Sequence, residues 1–440
     1  MNKKQAHFEA LGYEPLRMKP AHFAAGFFIS LTDEVYANEL LNKVAVTTAT
    51  KGLIGDYTPE AVVERLRSDG LIADEMTQAD VELLRVQVNG VVDNDAAMFP
   101  AFKPYRPKGN DYTFISPLLL TKASRTDGYA GHFVATVLAS TQEGKTVIDF
   151  ARKVAAEPPG TLQRFIKPLL GDVEGESSGL AQKYDSDYGT LSDERIGEVA
   201  GKMRVQTAAL ARLCENLPDY SRYRRIQYLV LGLLAWLMGH LLRTASVRAA
   251  NPLLLFDFTG EKDGPIRSQS QACYARLRET VRRTYRDLAA ADRFTSNPLG
   301  DGLFRRRNGE YDFRFLEEHF RDFAVRMGYV QPRASNVSQK HFELQPDTLR
   351  VLMLSILDRD SANAITFDEA CVRLRDTWGM VVGGAVTESE KLQQQGHFGF
   401  DEADLQRNAD AFADRLKGLN LAIEPSDGLV LCSRDIGGVL

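Results

Sequence analysis

Apolar residues recur at the three- and four-residue spacing of amphipathic helices along most of the chain, and short continuous apolar runs interrupt them. In the first 170 residues this period predicts helices over 33–43, over 59–68 after Thr58, and over 78–88. Two more follow over 147–156 and 160–170, separated by Pro158-Pro159, while 133–138 reads as a strand. Residues 171–189, dense in Gly, Ser, Asp and Glu, read as a loop or hinge. Long helices are predicted over 193–217, 220–245 and 268–291, with Leu253-Leu254-Leu255-Phe256-Asp257 as a buried strand between the last two. Arg305-Arg306-Arg307 stands before Asn308-Gly309, which predicts a two-residue hairpin within 303–313. Residues 331–345, with Pro332, Ser335, Asn336 and Ser338, read as a linker.

The last hundred residues show a sharper order. Pro346 and Asp347 open a helix over 348–357, in which Leu349, Leu352, Met353 and Ile356 share a face. Thr366, with Glu369 three positions later, is a capping box for a second helix over 367–378. A loop containing Gly383, Gly384 and 393–396 leads to Asp401, which caps a third helix over 402–417. Leu405, Ala409, Phe412, Ala413 and Leu416 line its apolar face, and Gly418 closes it. Two strands, 419–424 and 429–433, then flank Pro425-Ser426-Asp427-Gly428, a turn that makes a hairpin.

Three helices followed by a hairpin resemble the winged helix-turn-helix family over this last quarter of the chain. The resemblance implies a third helix that enters the major groove of DNA. That helix carries Asp401, Glu402, Asp404, Asp410 and Asp414 against Arg407, Arg415 and Lys417. An acidic helix approaches phosphate against repulsion, so the expectation is that the module docks on protein, with Asp404 and Asp410 as its exposed contacts.

Charge separates the chain into three parts. Residues 1–200 hold 21 Lys+Arg and 28 Asp+Glu, residues 201–340 hold 24 and 14, and residues 341–440 hold 9 and 17. Of the 24 cations in the basic middle, 21 are arginine, the side chain suited to bidentate phosphate contacts. Arg276, Arg282, Arg283 and Arg286 surround an apolar seam on the helix over 268–291. Together with Arg305, Arg306 and Arg307, and with Arg314 and Arg243 nearby in sequence, they are the candidate nucleic-acid contacts.

Few segments spell out catalysis. Ala139-Ser-Thr-Gln-Glu-Gly144-Lys145-Thr146 fits a relaxed phosphate-loop pattern, with Gly144, Lys145 and Thr146 as its nucleotide-binding residues and Asp257 as a magnesium-directing partner. It lacks the first glycine, places Glu143 beside the phosphates and is followed by helices rather than βα units, so it reads as a turn with Thr146 capping a helix. Cys214, Cys273, Cys371 and Cys432 lie far apart with no CxxC pair, which predicts a reducing compartment and no zinc site. The seven histidines stand singly. The apolar stretch 226–242, bracketed by arginines at both ends, reads as a buried core helix. Met1-Asn2-Lys3-Lys4 is followed by polar residues, which is not a secretory pattern.

The expected fold class is mainly α with minor β (α+β), a multi-domain helical body with a winged-helix-like end. Its expected domains are a mixed, mostly helical one over 1–170, an arginine-rich helical one over 190–330 and the winged-helix-like one over 345–440. The expected function is a cytoplasmic, non-enzymatic adaptor subunit of a nucleic-acid-processing complex. Its basic body contacts DNA or RNA, its acidic module docks a protein subunit, and no cofactor, metal or membrane takes part. A basic body, an acidic docking module and the lack of a legible active site loosely resemble accessory subunits of bacterial DNA-modification-linked antiphage systems. The alternatives are a P-loop-like NTPase built on Lys145 and Thr146, and a DNA-binding regulator that uses the winged module.

Overall fold

The computed structural model describes residues 11–15, 20–31, 35–36, 79, 129–157, 173–174, 184–185, 190–245, 252–290, 314–332, 339–359, 364–383, 386–425 and 428–434. The protein is mostly helical with small sheets, so it is mainly α with minor β. The chain divides into two units.

One unit comprises 18–135 and 151–190. Helix α1 (Pro20–Ile29) packs on the start of α2 (Ala130–Ala139) through glycine. A Cβ at Gly131 would lie 2.3 Å from the Phe27 amide nitrogen, so only glycine permits this backbone approach. Phe23, Phe27 and Phe28 are buried around the crossing. The ring of His132 lies against Tyr184, centroids 4.7 Å apart, and its Nδ1 is 3.1 Å from Ser30 Oγ. Strands β1 (Val35–Tyr36) and β2 (Val173–Glu174) pair antiparallel, Val35 opposite Glu174. Two expectations are corrected here. Val35 and Tyr36 were expected in a helix and form a strand. The 133–138 run, expected as a strand, lies in α2: five of its six residues are apolar and buried, and a short, mostly apolar run reads alike as buried strand or buried helix.

The other unit comprises 1–17, 136–150 and 191–440. It contains the first half of α3 (Gln142–Ala156), then α4 (Asp193–Lys202), α5 (Arg204–Asn216) and α6 (Arg222–Ala245). The single helix expected over 193–217 is two, joined at Met203, whose φ of −102° and ψ of 9° leave the helical region. Helix α6 is the central pillar, with Leu229, Leu233, Trp236, Leu237 and Leu241 buried. Trp236 Nε1 donates to Thr207 Oγ1 at 2.9 Å, and His240 Nε2 donates to the Leu11 carbonyl at 3.0 Å. Among the described residues α6 is the helix long and apolar enough to cross a membrane, and 83% of its apolar window is buried inside the fold. That is the arrangement expected of a core helix.

Strand β3 (Leu254–Leu255) follows, then α7 (Pro265–Ala290), α8 (Arg314–Arg326), β4 (Val330–Gln331), β5 (His341–Phe342) and α9 (Pro346–Leu354). Beyond them come β6 (Ile365–Thr366), α10 (Phe367–Trp378), β7 (Met380–Val381), α11 (Val386–Gln394), α12 (Glu402–Gly418), β8 (Ala422–Ile423) and β9 (Leu431–Cys432). Strand β3 pairs parallel with β7, Leu254 opposite Met380, and Phe256 bridges in parallel to Phe342 of β5. β5 in turn pairs antiparallel with β4. The expected central and C-terminal regions therefore share a sheet. Part of the expected linker, Gln331, His341 and Phe342, is strand, fixed by Ser270 Oγ, which accepts from Phe342 N–H at 2.8 Å.

A second sheet runs in the order β6-β9-β8, all antiparallel, with Ile365 and Ala422 on either side of Cys432. Thr366 caps α10, its Oγ1 accepting from Glu369 N–H at 3.2 Å. The Glu369 carboxylate does not complete the expected box and accepts from Arg373 Nη2 at 2.6 Å instead. The region expected as loop between α10 and α12 holds β7 and α11. Helix α12 runs through Gly418, and Asn420, with φ of 55°, is the left-handed residue that ends the turn beyond it.

Candidate functional site

The last helix of the C-terminal region, α12, is fixed from within. Asp401 Oδ1 accepts from Asp404 N–H at 2.8 Å and Asp404 Oδ2 accepts from Asp401 N–H at 2.9 Å, a reciprocal capping box. Arg407 donates to the other Asp404 oxygen. Asp404 is consequently 7% exposed, which corrects the expectation that it is a free surface contact. The sequence periodicity placed it opposite the apolar face, but the cap turns it into the first turn of its own helix.

On the inner face, Asn408 is fully buried between β3 and β7. Its Nδ2 donates to the Phe256 carbonyl at 2.8 Å and to the Val382 carbonyl at 2.6 Å, while its Oδ1 accepts from Phe258 N–H at 2.7 Å. One amide thus satisfies three backbone groups where the two strands run out. Phe412 packs against Phe258 with the rings tilted by 42° and centroids 4.6 Å apart, and Leu405 joins a cluster with Leu253, Leu255, Ile266, Val381 and Leu392. Gly383, with φ of 105°, lies so close to α12 that a Cβ there would come within 2.3 Å of the Leu405 carbonyl oxygen. Its N–H donates at 3.0 Å to Glu388, a fully buried carboxylate whose other oxygen is 3.8 Å from Arg375 Nη1.

The outer face carries Arg407, Asp410 and Asp414. Arg407 is committed to Asp404, and Lys417 is shared between Asp414, at 3.3 Å, and Glu424. Asp410 is exposed and accepts from Gln406 Nε2 at 2.8 Å. The Asp414 side chain is 77% exposed. Arg415 is exposed as well, so Arg407, Arg415 and Lys417 stand against Glu402, Asp404, Asp410, Asp414 and Glu424, and what α12 offers outward is acidic on balance.

The candidate arginines divide. Arg276 donates to the Gly396 carbonyl and to His397 Nδ1, so it anchors the loop before α12. Burial, and then the guanidinium beside it, push the His397 imidazole down to about 4, which keeps Nδ1 an acceptor. Arg282 and Arg283 flank Glu279 at 3.6 and 3.3 Å and remain exposed. The side chain of Arg286, and Arg305, Arg306 and Arg307 with their hairpin, lie outside the described residues, as does the side chain of Arg314. Arg243 donates to the Lys202 carbonyl.

The phosphate-loop segment is a helical corner. Gly144, Lys145 and Thr146 lie inside α3, where Thr141 is the capping side chain, accepting from Gly144 N–H at 3.1 Å. Lys145 N–H donates to the Thr141 carbonyl at 3.0 Å. The amides a phosphate cradle would present are therefore used internally. Thr146 donates to the Gln142 carbonyl and does not cap. Asp257 is buried and held by Arg267 and by Thr259 N–H at 2.9 Å, a turn-forming role rather than an open metal ligand. Among the described residues no cluster of three His, Cys, Asp or Glu is placed to hold a metal ion. A cavity lined by Gln206, Met238, Tyr329, Thr377 and Trp378 has room for about one water, well short of the few hundred Å³ of a small-molecule site.

Sequence reasoning missed Asn408, Glu388 and Phe398. Asn408 occupies the apolar stripe of α12 at the spacing of Leu405 and Phe412, which is where a buried polar residue signals itself. Phe398 is 65% exposed between Gly396 and Gly399, both at positive φ. No family model matches the chain, no curated protein is significantly similar to it, and no solved structure matches its fold.

Proposed function

We propose that this protein is a non-enzymatic adaptor that docks a protein subunit through the outer face of α12, within a winged-helix-like arrangement of α9, β6, α10, α12, β8 and β9. The sheet order β6-β9-β8 and the succession of helices support that arrangement, with β7 and α11 inserted between its second and third helices. The observation that carries the reading is the acidic ridge of Asp410 and Asp414 on a helix whose inner face is locked by Asn408 and Leu405. A rigid helix with that charge is a poor reader of phosphate and a good partner for a basic protein surface.

Co-purification with tagged full-length protein from its native cells tests this directly. Asp410→Lys with Asp414→Lys should lose a stoichiometric partner while thermal unfolding shifts only slightly, since both side chains face water and the exposed Asp414–Lys417 pair contributes little. The same variant should bind duplex DNA more tightly at low salt, because two repulsive charges become attractive. Undiminished recovery of the partner, or tight salt-dependent DNA binding by the unmodified protein that the reversal abolishes, would overturn the reading in favour of a DNA-binding regulator.

A further inference from the structure

The loop between α11 and α12 is pinned on both sides of Phe398 and Gly399. His397 N–H donates to the Leu392 carbonyl at 3.0 Å, Gln395 Oε1 accepts from Leu253 N–H at 3.0 Å, and Arg276 holds Gly396 and His397. Phe400 packs on the cluster of Leu253, Leu255, Ile266, Val381, Leu392 and Leu405. Between these anchors Phe398 projects, 65% exposed. An aromatic ring held outward by a fixed loop has little backbone entropy left to lose on contact, which is the character of an interface anchor.

Opposite charges lie to either side of that ring. Arg276, Glu279 and Arg283 recur at i, i+3 and i+7, one face of α7, and the loop sits on that face at Arg276. The face runs on from the loop to the exposed Arg283, with Arg282 on the adjoining face across Glu279. On the other side of Phe398 the chain enters α12 with Asp401 and Glu402 exposed, then the ridge of Asp410 and Asp414. Glu279, set between Arg282 and Arg283, makes this arginine face less suited to a continuous phosphate backbone than to carboxylates spaced along a helix.

We propose that two copies of this chain pair about a twofold axis near Phe398, the acidic ridge of α12 in each lying on the arginine face of α7 in the other. A twofold interface requires one surface to complement itself, and a positive stretch and a negative stretch flanking one apolar anchor meet that requirement reciprocally. The inference rests on the docking role given above to α12 and names the surface it docks on.

Sedimentation equilibrium of the full-length protein reads the pairing, with a dimer at twice the 49.0 kDa chain mass that dissociates as salt rises. Phe398→Ser, at an exposed position the fold does not use, should weaken association by about thirtyfold or more. Asp410→Lys with Asp414→Lys should be monomeric, and so should Arg282→Glu with Arg283→Glu. Mixed together, these two variants should form a heterodimer, because each then supplies the charge the other lacks at both contacts. A monomer at all concentrations, a dimer indifferent to Phe398→Ser, or two charge variants that stay apart on mixing would each overturn the pairing. If the protein is monomeric yet its native partner is still lost on reversing Asp410 and Asp414, the docking role of α12 stands and the second copy is ruled out as its occupant.

Discussion

At Glu388 a carboxyl group is wholly enclosed, with the Gly383 amide on one oxygen and the Arg375 guanidinium 3.8 Å from the other. Burial pushes its pKa up to about 7, against the pull of Arg375. A folded-state pKa above the unfolded one means that the native protein holds this proton more tightly. The stabilisation is complete below the ordinary carboxylate range and is lost as pH rises through about 7, a change of roughly 3 kcal/mol. Glu388→Gln keeps an acceptor for the Gly383 amide and cannot ionise. Denaturant unfolding at about pH 5 and about pH 8 should therefore show a smaller loss of stability on the alkaline side in the variant than in the parent. Identical losses would show that Glu388 is not the group responsible. Nothing in the sequence marks Glu388, which sits among polar residues of a segment without apolar period; it is enclosed beside the Gly383 amide and Arg375 of α10, a tertiary fact.

Among the elements, α3 shows how a chemical motif and a structural one come to share letters. Glycine followed by Lys and Thr at the start of a helix occurs in phosphate loops. Here Gly144 is required for a different reason, because a Cβ would lie 2.0 Å from the Leu138 carbonyl oxygen across the corner between α2 and α3. Gly144→Ala should therefore destabilise by about 2 kcal/mol or more in thermal or denaturant unfolding. Lys145→Ala should leave both stability and the calorimetric response to ATP as they are, and a saturable ATP signal that vanishes in that variant would restore the nucleotide reading. Helices with two-sided patterning, such as α10 and α12, were legible in outline from the sequence, as were their caps at Thr366 and Asp401. α2 was not, because only His132 and Thr136 interrupt its apolar residues, too few to mark a period. α11 was missed because its residues, rich in Gln and Glu with few apolar anchors, give a weak period.

For the molecule as a whole, segmental charge gave boundaries that the strand pairing crosses. The exposed cations of α7 and the exposed acids of α12 belong to one unit, in which β3 lies against β7 and Asn408 ties both to α12. Charge reports the surface of a segment and says nothing of what its core requires, and parallel partners distant in sequence leave no local trace. A fragment of residues 345–440 would expose Leu405, Leu392 and Val381, which share their cluster with Leu253, Leu255 and Ile266. It should consequently lack a cooperative thermal transition and bind a dye for exposed apolar surface. A sharp transition in that fragment would show that the last helices and hairpin form a core of their own.

The parallel pairing of Leu254 with Met380 also sets a clock for synthesis. At 5–20 residues per second, roughly ten seconds pass between the emergence of β3 and that of the strand it needs. Until then Leu253, Leu255 and Phe256, buried in the finished protein, have their partner edge open, and Asn408 has not been made. The nascent chain therefore passes through an interval in which an apolar strand is bare beside the finished pillar of α6. That interval is when chaperone capture or misassociation between neighbouring chains on one message competes with folding.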